Sequence, residues 1–397
     1  MKSLFTKNYI FLISSAFLAS TAFMLLLPVL PIFATKAVHL EEGRVGLIVG
    51  AFSLTALLSR PFIGYLLDNY NRKLLLLTAI TLFIGAFTSY IFITTILLLL
   101  LTRMVHGLSW AAITTSTATV VVDIVPEKKR GQGIGYFSMT YPLAMIVGPA
   151  LGLAFYDLFG SFSVIFIISV VLSVFALILA GLLKLPPVSR REKPLVLSIP
   201  ALYEKRVAGL AFMQFCYSFA YSGVITFLPL YAHKNNIDNS GVFFILYAAG
   251  VLLIRFVVRN TLDLRGPMPL IVSGCTCFAL GIMSLAFATS QAAFFVSGTL
   301  AGFGGGIIMP TISTMTMNVV ESFNRGKANA TVFTAMDIGM GLGALGVGYL
   351  IQHTSYKTAY IISAALICLL IIWFFISEKN RYYRNLEKLR RRETEER

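Results

Sequence analysis

Charged side chains are scarce in this chain. Only 12% of its 397 residues are Asp, Glu, Lys or Arg, against about 25% in a soluble globular domain. By contrast, 57% are hydrophobic, and the mean hydropathy is +0.82. This composition excludes an ordinary water-facing surface and favours a lipid bilayer as the solvent for most of the chain.

Cysteine and histidine are also scarce, with four residues of each. All four cysteines fall in apolar stretches. Cys275 and Cys277 are two residues apart and so lie on different faces of a helix, which makes a poor metal or redox pair. The G-x-G-x-x-G pattern within 339–348 follows no strand, so it lacks the context of a dinucleotide site. With no nucleophile or metal cluster either, we expect no enzyme activity and no cofactor.

Acidic residues number 17 against 32 basic ones, and a formal net charge of +15 would suit a nucleic-acid partner. The distribution of the basic residues along the sequence argues against a nucleic-acid partner. If both termini are cytoplasmic, twenty-five of the 32 lysines and arginines lie in cytoplasmic segments and only four in external ones. This positive-inside bias indicates the topology, and nucleic acid is not expected. The basic tail is then most simply solvated, or it faces lipid headgroups.

Long apolar runs are abundant. A spanning helix needs about 20 apolar residues, and such runs occur twelve times, at roughly 8–35, 43–67, 73–94, 96–122, 131–157, 161–183, 204–232, 240–260, 267–289, 291–319, 326–352 and 356–377. The first run could pass for a secretory signal peptide, but it continues to about Ala34, which favours a first spanning helix.

The second half of the sequence repeats the first at an offset of 195 residues. "RPFIGYLLD" at 60–68 aligns with "RFVVRNTLD" at 255–263, and "TATVVVDIVPEKKRG" at 117–131 aligns with "ISTMTMNVVESFNRG" at 312–326. Such repeats are typical of transporters whose halves rock about a central site. We therefore predict an all-α membrane protein with 12 transmembrane helices in two pseudo-symmetric six-helix bundles. The predicted parts are bundle 1–183, cytoplasmic linker 184–203, bundle 204–377 and tail 378–397.

The loop after helix 2 carries a charged motif. It reads "GYLLDNYNRK", with Gly64 and Asp68 followed by Arg72 and Lys73. Together with the two six-helix halves, this motif resembles the major facilitator superfamily over residues 8–377. The family pattern has an arginine and a glycine where this chain has Asn69 and Asn71.

Helices 4 and 5 resemble the drug:proton antiporter branch of that family. "RMVHG" keeps Arg103 and places His106 where the branch has glutamine. The helix 5 signature keeps three of its residues, Gly148, Pro149 and Gly152. Pro28 and Pro31 in helix 1 also fit the branch.

The resemblance implies a cytoplasmic gate. Asp68, Arg72 and Asp123 would latch helices 2, 4 and 11 in one conformation, with Gly64 and Lys73 in the same motif. An anion at Asp68 can face the start of helix 11, where the helix dipole favours it, while Arg72 bridges to Asp123. The alternative is a set of solvated charges at helix ends.

Few charges are expected at membrane depth. Arg60 shares a helix face with Gly64 and Asp68 and lies about 12 Å deeper than Asp68, at 1.5 Å per residue. It either snorkels to brace the gate or points into the cavity, and the same choice applies to Arg255. Asp337 is the carboxylate placed near the midplane.

Three of these residues are candidates for proton coupling. Burial disfavours the charge of Asp337 and an approaching cation restores it, as an alternating proton carrier requires. The resemblance makes Arg103 a coupling or substrate residue, and His106, on the same face, can titrate near neutral pH. The alternatives are structural: a capped Asp337, Arg103 bound to backbone carbonyls, and His106 as a buried hydrogen-bonding group.

The family lines its substrate cavity with helices 1, 4, 7 and 10. On those helices the candidates are Thr21, Trp110, Thr114, Gln214, Tyr217, Tyr221 and Thr311, some of which could simply pack between helices. Helix 1 has no acidic residue, and three deep arginines face one aspartate. This balance offers little to lipophilic cations and favours neutral or anionic cargo beside drugs.

We therefore expect a monomeric, proton-coupled exporter of a small organic molecule in a bacterial-type cytoplasmic membrane. A proton-driven importer on the same fold is one alternative. A transport-inactive receptor or scaffold is another, although a scaffold has no need of costly buried charges.

Overall fold

The computed structural model describes residues 4–126, 129, 133–134, 136–137, 139–185, 203–258, 266–321 and 325–395. Most of the predicted linker 184–203 and the side chain of Asp68 lie outside this description. Contacts divide the chain into a first unit, Met1–Glu41 with Leu47–Leu195, and a second unit, Glu42–Gly46 with Val196–Arg397.

The first unit contains six long helices over the residues described. They are α1 (Lys7–Lys36), α2 (Val45–Asn69), α3 (Arg72–Tyr90), α4 (Ile96–Ile124), α5 (Thr140–Phe159) and α6 (Phe162–Gly181). Helix α1 packs mainly on α5 and α6, and α3 packs on α4 and α6. Helix α5 begins at Thr140, and the described residues 133–134 and 136–137, upstream of it in the apolar run 131–157, are also helical.

The second unit contains seven helices over the residues described. They are α7 (Ala208–Lys234), α8 (Gly241–Val258), α9 (Pro267–Ala286), α10 (Gln291–Asn318), α11 (Arg325–His353), α12 (Tyr356–Trp373) and α13 (Lys379–Glu395). A π-helical turn, Phe374–Glu378, joins α12 to α13. The main packing pairs are α7 with α11, and α10 with α8 and α9.

The predicted fold class is confirmed. Ten of the helices over the described residues are long and apolar enough to cross a membrane, and the shorter apolar helices of α5 and α8 complete the set of twelve. The helix starts follow the predicted repeat. Helices α4 and α10 begin 195 residues apart, and each is capped by a hydroxyl at the equivalent position, Thr95 and Ser290. These caps satisfy backbone N–H groups that the first helical turn leaves unpaired.

One short segment groups with the other half of the sequence. Residues 42–46 are the turn before α2 and its first two residues, yet they contact α11 and belong to the second unit. Gly46 and Gly43 allow this approach: a β-carbon on Gly46 would overlap the backbone of Ala344, and a β-carbon on Gly348 would lie 2.7 Å from the Gly43 carbonyl oxygen.

Candidate functional site

The first unit encloses Arg103 completely. This residue of α4 is 1% exposed, and its Nε donates to the carbonyl oxygen of Ile48 on α2 at 3.3 Å. Its Nη1 donates to the Tyr90 hydroxyl at 3.4 Å, and the guanidinium lies 4.3 Å from the centre of the Phe52 ring. Backbone, phenol and cation–π contacts together hold this charge within one unit.

His106 continues the same chain of contacts. Its Nδ1 is 3.2 Å from the Tyr90 hydroxyl. Because a guanidinium can only donate, the phenol accepts from Arg103 and can donate its own O–H to Nδ1. The imidazole proton then sits on Nε2, which has no hydrogen-bond partner among the described residues. The rings that surround it are Phe23, Phe52, Phe83 and Phe87, at centroid distances of 4.8–5.7 Å.

One predicted cavity residue, Trp110, extends this aromatic cluster, and another, Thr21, lies on the same helix as Phe23. Trp110 stacks on Phe23 at 4.4 Å, and Phe23 stacks on Phe52 at 5.0 Å. Thr21, on α1, is buried and donates to the carbonyl of its own helix at Phe17. The cluster therefore joins α1, α2, α3 and α4 of the first unit.

Arg60, whose direction the sequence leaves open, points to α4. Its Nη1 lies 3.4 Å from the hydroxyl of Thr114 and 3.5 Å from that of Thr115. Each of these hydroxyls donates to a carbonyl of its own helix and so has a lone pair for the guanidinium. Arg60 is thus brought together with one of the predicted cavity residues.

The helix 5 signature lies where α5 and α1 touch. A β-carbon on Gly148 would overlap Met24, and a β-carbon on Gly152 would overlap the carbonyl of Leu25. Pro149 between them is buried. The signature therefore brings the two backbones into contact one turn before Pro28, so in this structure it is a helix-packing element.

Arg72 and Asp123 form a direct ion pair, and Arg72 also donates to the Leu67 carbonyl at 3.0 Å. Both departures from the family motif act as helix caps here. Asn71 accepts from the backbone of Lys73 and Leu74, at the start of α3. Asn69 donates to the Tyr65 carbonyl at 2.9 Å, at the end of α2. Gly64 has open space around it, because no atom lies within 4 Å of a β-carbon there.

The second unit gathers tyrosines where the first unit has Arg103 and Trp110. The hydroxyls of Tyr217 and Tyr247 are 3.3 Å apart, and the ring of Tyr221 lies 5.8 Å from Tyr217 and 6.0 Å from Tyr247. A β-carbon on Gly305 would overlap the Tyr247 hydroxyl. Tyr217 and Tyr221 are predicted cavity residues. Tyr247, on α8, is a residue that the sequence analysis missed.

The remaining cavity candidates of this unit are buried as well. Gln214 donates to the Ser218 hydroxyl at 3.1 Å, and Thr311 donates to the Ile307 carbonyl at 2.6 Å. Asp337, on α11, is 9% exposed. The structure therefore buries the candidate proton carrier within the second unit.

The two clusters are built on equivalent contacts. A β-carbon on Gly107 would overlap the carbonyl of Phe52, and a β-carbon on Gly302 would overlap the carbonyl of Tyr247. Gly107 and Gly302 are 195 residues apart, and so are Phe52 and Tyr247. The repeat is therefore a repeat of helix packing, and applying its offset to Phe52 would have identified Tyr247 from the sequence.

A second charge network, also missed, lies at the start of α7. Arg206 pairs with Glu204 at 2.9 Å and with Glu321 at 2.6 Å. The Arg206 guanidinium holds the pKa of the Glu204 carboxyl below its usual value. The Glu204 backbone N–H donates to Thr331 on α11. Helices α7, α10 and α11 are thereby tied together at their predicted cytoplasmic ends.

The basic tail is not simply solvated, because helix α13 packs one face on the second unit. Tyr382 is buried, Arg381 donates to the Lys205 carbonyl at 2.5 Å, and Asn385 donates to the Arg206 carbonyl at 3.3 Å. In the π-helical turn before it, Glu378 is 1% exposed and lies against Gly209. This face of the tail therefore packs on protein, where the sequence predicts a solvated or headgroup-facing segment.

Comparison with known proteins gives matches along the whole length. A family model described as Major Facilitator Superfamily matches residues 12–291 and 210–395. The staphylopine export protein of Staphylococcus aureus strain Mu50 is 22% identical over 353 residues, covering 84% of this chain and 87% of that protein. The multi-drug resistance efflux pump PmrA homolog of Lactococcus lactis strain IL1403 is 24% identical over 378 residues, covering 91% and 92%.

Solved structures share the fold at lower identity. The nucleoside transporter NupG matches with a TM-score of 0.76 and 14% identity, over 93% of this chain and 99% of that one. This likeness concerns the arrangement of helices alone.

Proposed function

Because this chain belongs to the major facilitator superfamily and is a multi-pass membrane transporter, we propose that it exports a small organic molecule in exchange for protons. The observation that carries the direction is the α1–α5 contact: the helix 5 residues kept from the antiporter pattern, Gly148 and Gly152, lie directly on α1. The names of the full-length relatives, an export protein and an efflux pump, point the same way.

The proposed orientation places both termini in the cytoplasm. The basic residues at 128–130, in the linker and in the tail then face the cytoplasm, as the positive-inside rule requires. The Arg72–Asp123 pair, with Asn71 as the cap of α3, then forms part of a cytoplasmic gate together with Gly64, Asp68 and Lys73. Breaking and re-forming such a charge network is a suitable two-state element for alternating access.

Proton coupling is assigned first to Asp337. It is a buried carboxylate near the middle of α11, and a carboxylate at membrane depth is costly unless it has a role. Arg103 and His106 are linked through Tyr90, so a proton arriving at this cluster would be felt by both side chains. We place them in the coupling machinery after Asp337, because aromatic rings surround most of the imidazole.

Purified protein in liposomes with an imposed pH gradient tests the proposal. A broad panel of drugs, sugars and organic acids is supplied, and both compound movement and proton flux are followed. We expect at least one compound to move against an opposite proton flux, and Asp337→Asn to abolish gradient-driven movement. Glu387→Gln, which removes an exposed carboxylate of α13, serves as the matched control and should transport normally.

Three results would contradict the proposal. Compound and protons moving in the same direction would make the protein an importer. No flux with any compound would favour the receptor or scaffold. Unchanged gradient-driven transport by Asp337→Asn would remove Asp337 from the mechanism.

A further inference from the structure

Three arginines lie deep in the predicted spans, and the first unit satisfies two of them. Arg103 is held by a carbonyl, a phenol and an aromatic ring. Arg60 is held by the hydroxyls of Thr114 and Thr115. A guanidinium has five N–H donors and no acceptor, so such partners are what it needs when it leaves water.

Arg255 differs from both. It is the equivalent of Arg60 at the 195-residue offset, but the positions equivalent to Thr114 and Thr115 are Met309 and Pro310. Neither residue offers a side-chain hydroxyl to the guanidinium. The Nε of Arg255 is buried and has no hydrogen-bond partner among the described residues. The second unit thus keeps the cation, but the two positions equivalent to those that hold Arg60 offer it no hydroxyl.

The direction of Arg255 is set by its helix. At 100° per residue it lies on the face of α8 that carries Phe244, Ala248 and Val251. All three are buried, whereas Leu253, on the opposite face, is exposed. Helical side chains also lean toward the start of their helix, which aims Arg255 toward Tyr247. The guanidinium is within electrostatic range of that phenol.

Tyr217 and Tyr247 together have one hydroxyl proton that their shared hydrogen bond does not use. Tyr217 and Tyr247 share a single hydrogen bond of 3.3 Å, which uses one of their two hydroxyl protons. No other hydrogen bond to either hydroxyl occurs among the described residues. Gly305 leaves room for both hydroxyls, since a β-carbon there would lie 2.8 Å from that of Tyr217.

We propose that Arg255, Tyr247 and Tyr217 bind the carboxylate of the exported molecule, so that the cargo is an organic acid. A half-buried cation and an unused phenol proton are complementary to a planar anion, which a guanidinium holds through paired hydrogen bonds. This inference rests on the proposed export function in one respect: it takes the bound carboxylate to be the molecule that is exported.

Binding is measured apart from transport. Purified protein in phosphatidylcholine nanodiscs is titrated with aromatic carboxylates and with the primary amides of the same skeletons, and the thermal unfolding midpoint is followed. We expect at least one carboxylate to raise the midpoint where its amide does not. Arg255→Gln should abolish this preference. Tyr247→Phe should weaken carboxylate binding about tenfold, as expected for loss of one hydrogen bond to a charged group.

Two further variants provide a second test of the site and a control. Met309→Thr supplies an internal hydroxyl like that of Thr114, so it should weaken carboxylate binding without removing the cation. Arg384→Gln removes an exposed positive charge of α13 and should leave the preference unchanged. If Arg255→Gln does not fold, Met309→Thr and Tyr247→Phe still decide the question.

Several outcomes would overturn the inference. They are amides that bind as well as carboxylates, no response to any carboxylate, or a preference that survives Arg255→Gln. Loss of the response when phosphatidylglycerol replaces phosphatidylcholine would assign the site to a lipid headgroup. Failure of this test leaves proton-coupled export standing. Conversely, carboxylate binding without gradient-driven flux would overturn export and leave the anion site.

Discussion

The Tyr356 hydroxyl donates a hydrogen bond to the carboxylate of Glu42. The two residues lie at opposite ends of the sequence: Glu42 precedes α2, and Tyr356 is the first residue of α12. Tyr356 is buried, and the Lys234 ammonium lies 5.3 Å from the centre of its ring. This bond helps explain why residues 42–46 belong to the second unit by their contacts.

Tyr356→Phe should lower the free energy of unfolding by about 1.5 kcal/mol. This is the lower end for a hydrogen bond to a charged group, because Glu42 is exposed to solvent. Denaturant unfolding in detergent micelles measures it. Tyr349→Phe, at an exposed tyrosine of α11, is the control. Equal stability of the two variants would mean that the bond contributes nothing.

Asn71 should stabilise the start of α3 as a helix cap. Asn71→Ala is expected to cost about 1 kcal/mol, and Asn71→Gly only a few tenths, because glycine is tolerated at this position. Gly is also the residue of the family motif here. Unfolding of the two variants side by side checks the order, and a glycine variant as unstable as the alanine variant would contradict it.

Gly152 and Gly64 should respond oppositely to alanine. Gly152→Ala places a methyl group on the Leu25 backbone, so a loss of about 1–3 kcal/mol from overpacking is expected. Gly64→Ala meets open space and improves helix propensity, by up to about 1 kcal/mol. Thermal unfolding should separate the two. If Gly64→Ala folds normally but transports poorly, the effect lies in the gate and not in the packing of the first unit.

Because of Glu204, the free energy of unfolding should decrease as the pH falls into the acid range. Its pKa is lowered by Arg206, so the folded state favours the ionised carboxyl. The resulting stabilisation is present above the ordinary glutamate value of 4.5 and is lost as the pH falls through the lower folded value. Glu204→Gln should flatten the decline of the unfolding midpoint below this value. Glu387→Gln, at an exposed carboxylate, should keep the decline of the unaltered protein.

Hydropathy and the internal repeat predict the helices well. In lipid, each span must satisfy its backbone N–H and C=O groups by hydrogen bonds within its own helix, so each span is a long apolar helix. The starts of α4 and α10 are predicted at Ile96 and Gln291, as observed. The start of α5 at Thr140 is not, because residues 133–134 and 136–137 of the same apolar run are also helical and hydropathy alone cannot locate where one helix ends and the next begins.

The charge partners could be predicted only in part. The family motif brings Arg72 and Asp123 together correctly. It does not reveal that Glu204 and Glu321 share Arg206, because this network depends on how three helix ends meet and no motif records it. Tyr90 and Tyr247 were missed for a related reason: each matters through a contact with another helix, and only the repeat offset points to one of them.

The helix formed by α12, its π-helical turn and α13 runs without interruption from Tyr356 to Glu395. A reporter or purification tag placed after this helix is therefore attached to a helix that is continuous with α12 and contacts the start of α7. Removing the chain after Glu378 would take away the side chains of Arg381 and Asn385, which donate to the carbonyls of Lys205 and Arg206. Tagged and shortened versions of the protein should accordingly be compared with the full chain before their transport rates are interpreted.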